Sequence, residues 1–183
     1  MKIPARKVLA YEGQGAPAAP SFQQAIGAIY GIAYTLKFAG KARGKDFKIG
    51  PLEARWSAVT DIITTRPPPE TWRWVLRIAV PSNITAREVA DAIESATTKK
   101  GGKLEGSAEA ARVKLDALPA QRLGRALHIG PYSDEARTLN AIDLAVKAAG
   151  GTPAFTHIEI YLKDPRRTKP DKLETVLLRE LGS

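Results

Sequence analysis

The chain has 183 residues, 44% hydrophobic and 26% charged, a length and balance that suit one sizeable folded domain and argue against disorder. Its Lys and Arg outnumber its acids by 28 to 19, for a net +9. The cations fall in small scattered groups with no zinc-finger, leucine-zipper or helix-turn-helix pattern, so no specific nucleic-acid partner is expected. Cysteine is absent, which excludes disulfides, thiolate metal sites and cysteine nucleophiles. No apolar run approaches a membrane span and the N-terminus lacks a secretory pattern, so a cytoplasmic chain without a membrane partner is expected.

In chain order, residues 7–12 predict a first strand, and a Gly/Pro/Ala loop follows over 13–20. Ser21 is positioned to cap a long helix to about residue 38, with Phe22, Ala25, Ile26, Ile29, Ile32, Ala33 and Leu36 on one apolar face and Gly40 as its stop. The aromatics Phe22, Tyr30 and Tyr34 on that helix read as core. A basic loop over 41–48 leads to a second strand at 49–56, and a third strand is predicted at 72–80. In the third, Trp72, Trp74, Leu76, Ile78 and Val80 share a face. Thr85 with Glu88 forms a capping-box pattern for a second helix ending near residue 100. Strands follow at 113–116 and 122–129, then a third helix capped by Ser133, a strand at 156–162, a charged turn over 164–172 and a last strand at 175–180.

The halves of the chain repeat, each reading strand, helix, strand, strand. Tyr11-Glu12-Gly13, Pro51-Leu52-Glu53 and Val75-Leu76-Arg77 recur in order as His128-Ile129-Gly130, His157-Ile158-Glu159 and Leu177-Leu178-Arg179. The expectation is a single α+β domain over 1–183, with repeat halves of approximately 1–105 and 106–183. Two pseudo-twofold related modules would carry helices on one side of antiparallel sheets and leave a groove at the pseudo-twofold axis. This alignment puts Glu53 and Glu159 at related positions near the groove.

The strand at 156–162 concentrates the chemistry. Alternation puts Ile158, Ile160 and Leu162 on one face and His157, Glu159 and Tyr161 on the other. A carboxylate between an imidazole and a phenol in mid-strand suggests a functional face, since strand propensity does not favour Glu there. The alternative roles for Glu159 are a solvated surface residue or the partner of a groove arginine such as Arg55. His128 and His157 are the only histidines, and without a nearby carboxylate cluster they read as hydrogen-bonded strand residues, with no metal site expected.

Tyr34-Thr35-Leu36-Lys37-Phe38, Pro51-Leu52-Glu53-Ala54-Arg55-Trp56, Trp72-Arg73-Trp74, the run from His128 to Glu135 and the run from His157 to Arg167 together resemble the GyrI-like small-molecule-binding family. The resemblance implies a ligand groove between two strand-helix-strand-strand modules. It extends to a stand-alone branch that includes hydrolases of cyclopropanoid DNA-alkylating compounds, which use a cage of aromatic side chains. By that resemblance Glu159 and Tyr132 are the candidate catalytic residues. Glu53, Trp56, Trp72, Trp74, His128, His157 and Tyr161 are the candidate ligand-binding residues. The implied partner is a small planar or aromatic ligand, and no cofactor is expected. A non-catalytic module for planar or cationic drugs, or a protein that binds another macromolecule, are the alternatives. One departure stands out, because that branch commonly has two tryptophans after its Pro-Leu-Glu motif and here Trp56 precedes Ser57. By alternation Trp56 then points away from the face shared by Glu53, Arg55 and Ser57.

Overall fold

Eight strands form one antiparallel sheet in the computed structural model, which describes residues 1–181. The strands are β1 (Lys2–Ile3), β2 (Arg6–Gln14), β3 (Glu53–Ser57), β4 (Arg73–Val80), β5 (Lys114–Leu118), β6 (Gln121–Ile129), β7 (Pro153–Tyr161) and β8 (Glu174–Leu181). The helices are α1 (Pro20–Ala42), the single turn α2 (Ile62–Thr65), α3 (Ala86–Thr98) and α4 (Glu135–Ala148). Across the sheet the order is β1-β6-β8-β7-β3-β4-β2-β5. The antiparallel pair β3–β7 lies at the centre, and β4-β2 extends from one side as β8-β6 extends from the other. Two strand-helix-strand-strand modules thus meet with their helices on one side, the α+β arrangement expected from the sequence.

The local reasons are legible in β4, where every second residue from Trp74 to Val80 is buried against the helices. α3 opens on the expected capping box, in which the Thr85 hydroxyl accepts from the Glu88 amide and the Glu88 carboxylate accepts from the Thr85 amide. α1 differs from expectation at both ends. Pro20 takes the first turn, where its fixed φ and missing N–H cost nothing, so Ser21 is inside the helix and Ala19 is the uncapped start. At the other end Gly40 does not stop the helix. It lies within it because the chain returns against its bare Cα, leaving an added Cβ only 2.6 Å from the Lys45 carbonyl oxygen, and Gly44 at φ +71° makes the turn. α4 begins at Glu135 because residues 132–134 form a 3-10 turn, with the Asp134 amide on the Pro131 carbonyl, and the Ser133 hydroxyl is spent on the Asp134 side chain.

The helix side of the sheet holds the main core. Leu9, Tyr11, Ala54, Trp74, Leu76 and Ile78 pack against Phe22, Ile29, Ile32 and Leu36 of α1 and Val89 of α3. In the other module Leu177 of β8 packs on Leu139, Ile142 and Val146 of α4. Each fully buried side chain of this kind stabilises by about 1.5–3 kcal/mol before conformational entropy is charged against it. The opposite side of the sheet has its own apolar cluster of Leu123, Ile158, Val176 and Leu178. Beside that cluster stand the ion pairs Arg6–Glu53 and Arg55–Glu180.

Candidate functional site

Between α1, the start of α4 and the centre of the sheet lies a cavity of about 1700 Å³. Its walls are aromatic. α1 contributes Phe22, Tyr30 and Tyr34, β3 contributes Trp56, the segment before β4 contributes Trp72, the turn before α4 contributes Tyr132, and β7 contributes Tyr161. The rings brace one another: Phe22 stacks on Trp56 at 5.3 Å, Trp72 meets Trp56 edge-on at 5.9 Å, and Tyr132 meets Tyr161 edge-on at 5.7 Å. Trp72 is anchored by its indole N–H on the Pro67 carbonyl oxygen at 2.9 Å. Exposed cations, among them Lys48, Arg66, Lys103, Lys163 and Arg166, also border the cavity.

The polar end of the cavity is built on β7. His157, Glu159 and Tyr161 project to the same side, and the Glu159 carboxylate is held between its two strand neighbours. Tyr161 donates its hydroxyl to Oε2 at 2.6 Å, and His157 Nε2 lies 3.1 Å from Oε1. With Glu159 as acceptor, Nε2 carries the hydrogen and the buried Nδ1 has no partner among the described residues. The same cavity is lined by Glu135, the first residue of α4, which is only 5% exposed. Its Oε1 has no protein partner among the described residues. Burial, and then the charge on Glu159, push the Glu135 carboxyl up to about 9, so at neutral pH it is a neutral acid beside a charged carboxylate. Burial, and then the same charge, hold the Tyr161 phenol well above its ordinary value. Burial, and then Glu135 and Glu159, push Tyr132 up to about 12. Both phenols are therefore donors throughout the neutral range.

The residues singled out from the sequence separate into two groups. Trp56, Trp72, Tyr132, His157, Glu159 and Tyr161 come together around the cavity. Glu53, Trp74 and His128 do not. Glu53 lies on the far side of the sheet, only 4% exposed, with both carboxylate oxygens on the Arg6 guanidinium. The physical reason is register: Ala54 pairs with Glu159 and Trp56 with His157, which turns Glu53 away with Ile160. Aligning Glu53 with Glu159 in the repeat is thus one residue out of phase. For the same reason Trp56 faces the ligand cavity, and Arg55, weighed as a partner for Glu159, pairs instead with Glu180 at 2.8 Å on the far side. Trp74 is core, edge-on to Phe22 at 5.0 Å and seated over Gly13. His128 is buried with Nδ1 at 2.9 Å from Thr138 Oγ1 and Nε2 at 3.1 Å from the Pro131 carbonyl oxygen, so it fixes the turn that carries Tyr132.

Two features escape a reading of the sequence. Phe22 and Tyr30, taken there as core, do belong to or pack on the core and also line the cavity, while Tyr34 is 47% exposed at the cavity wall. Glu135 is the second carboxyl of the site, and an acidic residue in the first turn of a helix ordinarily signals only a favourable interaction with the helix dipole. The signal that finds it is its place three residues after Tyr132, at the end of the His128–Glu135 run.

Among the described residues no group of three or more His, Asp or Glu side chains is placed to hold a metal ion. No helix among them is long and apolar enough to cross a membrane. The cavity can therefore hold a flat apolar body on its aromatic walls and present that body to a carboxylate, a neutral carboxyl and two phenols.

No family model matches the chain, and no curated protein does. Among solved structures the chain is similar over its whole length to an uncharacterized conserved protein from Listeria innocua, with 26% identity, a TM-score of 0.84 and 91% of that chain covered. A structure described as a hydrolase from the same organism matches at 26% identity and TM-score 0.82, again over all of this chain and 91% of the other. The EcmrR C-terminal domain matches at 13% identity and TM-score 0.57, over all of this chain and 95% of that domain, a likeness of fold alone. These neighbours share the α+β fold described above.

Proposed function

We propose that the chain binds a planar, aromatic small molecule between its ring-lined walls and hydrolyses cyclopropanoid compounds there, with Glu159 activating the attacking water. The observation that carries this reading is the Glu159 carboxylate, clamped by His157 and Tyr161 at the polar end of an aromatic cavity. In such a reaction Glu159 takes a proton from water as the water oxygen bonds to the cyclopropane carbon. The ring C–C bond breaks, its electron pair passes through the conjugated system to the carbonyl oxygen, and that oxygen is protonated as it becomes a phenol. The Tyr161 hydroxyl is committed to Glu159, which leaves Tyr132 to donate to the carbonyl oxygen. The strained ring is itself electrophilic, so modest assistance suffices. The similar structure described as a hydrolase supports the reading. The test is to incubate the protein with a cyclopropanoid alkylator and follow the gain of one water by mass spectrometry, with Glu159→Gln and Tyr132→Phe in parallel. Turnover by the wild type, lost in Glu159→Gln while ligand quenching of tryptophan fluorescence persists, is the expected result. Quenching without turnover would leave a binding protein.

A second reading is favoured by one observation, the charged Glu159 among aromatic rings, which suits a planar cation. A cationic dye that binds tightly without being altered, and loses affinity in Glu159→Gln, would select it.

A further inference from the structure

The cyclopropanoid reaction has no use for an acid next to the base. Its leaving electron pair ends on a carbonyl oxygen several bonds away from the attacked carbon, yet a second buried carboxyl, that of Glu135, lines the same cavity as Glu159. Glu135 is 5% exposed, lines the cavity, and has a carboxyl oxygen that no protein group satisfies, at an energetic cost that a purely structural side chain would not be expected to carry. An acid and a base at one spot fit a substrate whose leaving atom is bonded to the attacked carbon and must be protonated as it leaves. A three-membered ring meets that condition when one of its members is oxygen.

We infer that this site also opens epoxides carried on a planar aromatic body, with Glu159 as the base on water and Glu135 as the acid on the epoxide oxygen. The inference rests on the proposed role of Glu159 as the group that activates water. In the step, the water oxygen forms a bond to an epoxide carbon and gives a proton to Glu159. The C–O bond at that carbon breaks, its electron pair stays on oxygen, and that oxygen takes the proton of Glu135. The product is a vicinal diol. Glu159 is left protonated and Glu135 ionised, and one proton transfer between the two carboxyls of the cavity restores the starting state. The aromatic walls set the substrate class, since they place a ring-bearing benzylic carbon at the polar end. Tyr161 and His157 hold Glu159 with its oxygens directed, which keeps the base on water and off the epoxide carbon.

The experiment uses the full chain with styrene oxide and trans-stilbene oxide, and with a cyclopropanoid alkylator as a second substrate, in water enriched in oxygen-18. The expected result is diol carrying one heavy oxygen even in a single turnover. Glu135→Gln should lower kcat/KM on the epoxides by about 100-fold, in the range typical of general acids, and lower cyclopropanoid turnover by a clearly smaller factor. The epoxide rate should also fall as pH rises through about 9, where Glu135 loses its proton, and that limb should be absent in Glu135→Gln. Cyclopropanoid turnover without epoxide turnover overturns this inference and leaves the proposed function standing. Epoxide turnover alone upholds the inference and removes the cyclopropanoid reading. No turnover of either substrate overturns both. Heavy oxygen found first in the protein, or an equal loss on both substrates in a Glu135→Gln variant with unchanged circular dichroism and ligand quenching, overturns the roles assigned to the two carboxyls.

Discussion

Replacing Glu135 by glutamine removes one titratable proton from the cavity while keeping the shape of the side chain, so its effect on stability isolates the electrostatics of the carboxyl pair. Burial, and then the charge on Glu159, raise the Glu135 value from 4.5 to about 9 in the folded protein. The folded state therefore holds this proton more tightly than the unfolded chain does. The stability held through it is complete below pH 4.5 and is lost progressively as pH rises to the folded value of about 9. Between those limits the wild type loses about 1.4 kcal/mol per pH unit through this group, a loss that Glu135→Gln does not suffer. Relative to its value below pH 4.5, the gap at pH 7 should have shifted in favour of the variant by on the order of 3 kcal/mol, a sizeable part of the stability of an ordinary domain. Urea unfolding of both proteins, read by tryptophan fluorescence at half-unit steps from pH 5 to pH 8.5, measures it directly. The gap should open steadily with pH. Two curves that run parallel over that range would refute a neutral Glu135 beside a charged Glu159, and with it the division of acid and base between them.

Arg179, only 1% exposed, reaches Asp143 and Asp61 at 2.7 Å each, so Arg179→Met strands two carboxylates and should cost about 3–5 kcal/mol in denaturant unfolding. Because Asp61 also caps α2 at the cavity wall, the same variant should weaken ligand binding as well as the fold, which titration at a permissive temperature would read. Gly13→Ala would set a methyl 2.1 Å from the Trp74 ring, and the displaced indole should cost about 1–3 kcal/mol and change the tryptophan emission. Trp56→Leu removes the ring that joins Phe22 to Trp72. It should weaken a planar ligand by about 10-fold in fluorescence or calorimetric titration, whereas Trp74→Leu, behind the wall, should act on stability first.

Much of the fold was legible because it rests on short-range periodicity. The alternation from Trp72 to Val80, the capping box at Thr85 and Glu88, and the repeated order of elements each follow from neighbours within a few residues, and the structure keeps all three. The site was legible in part for the same reason: His157, Glu159 and Tyr161 share a face on any strand. Glu53 was misplaced because register between strands is a long-range property, and a shift of one residue exchanges the two faces of a strand. Tyr34 was misplaced because helical spacing tells which side of a helix is apolar without telling how much of that side a neighbour covers.

What the sequence determined by itself is seven of the eight strands and the three long helices, their order in two matching halves, and the grouping of imidazole, carboxylate and phenol along one strand, since backbone sterics and hydrophobic period fix these locally. The tertiary structure alone decided that Trp56, rather than Glu53, faces the cavity, that His128 braces a turn, and that Glu135 lines the same cavity as Glu159. Those outcomes depend on how β3 registers against β7 and where α4 begins above β8. Such distances are set by the packing of side chains far apart in the chain, so the shared chemistry of the two glutamates exists only in the folded protein.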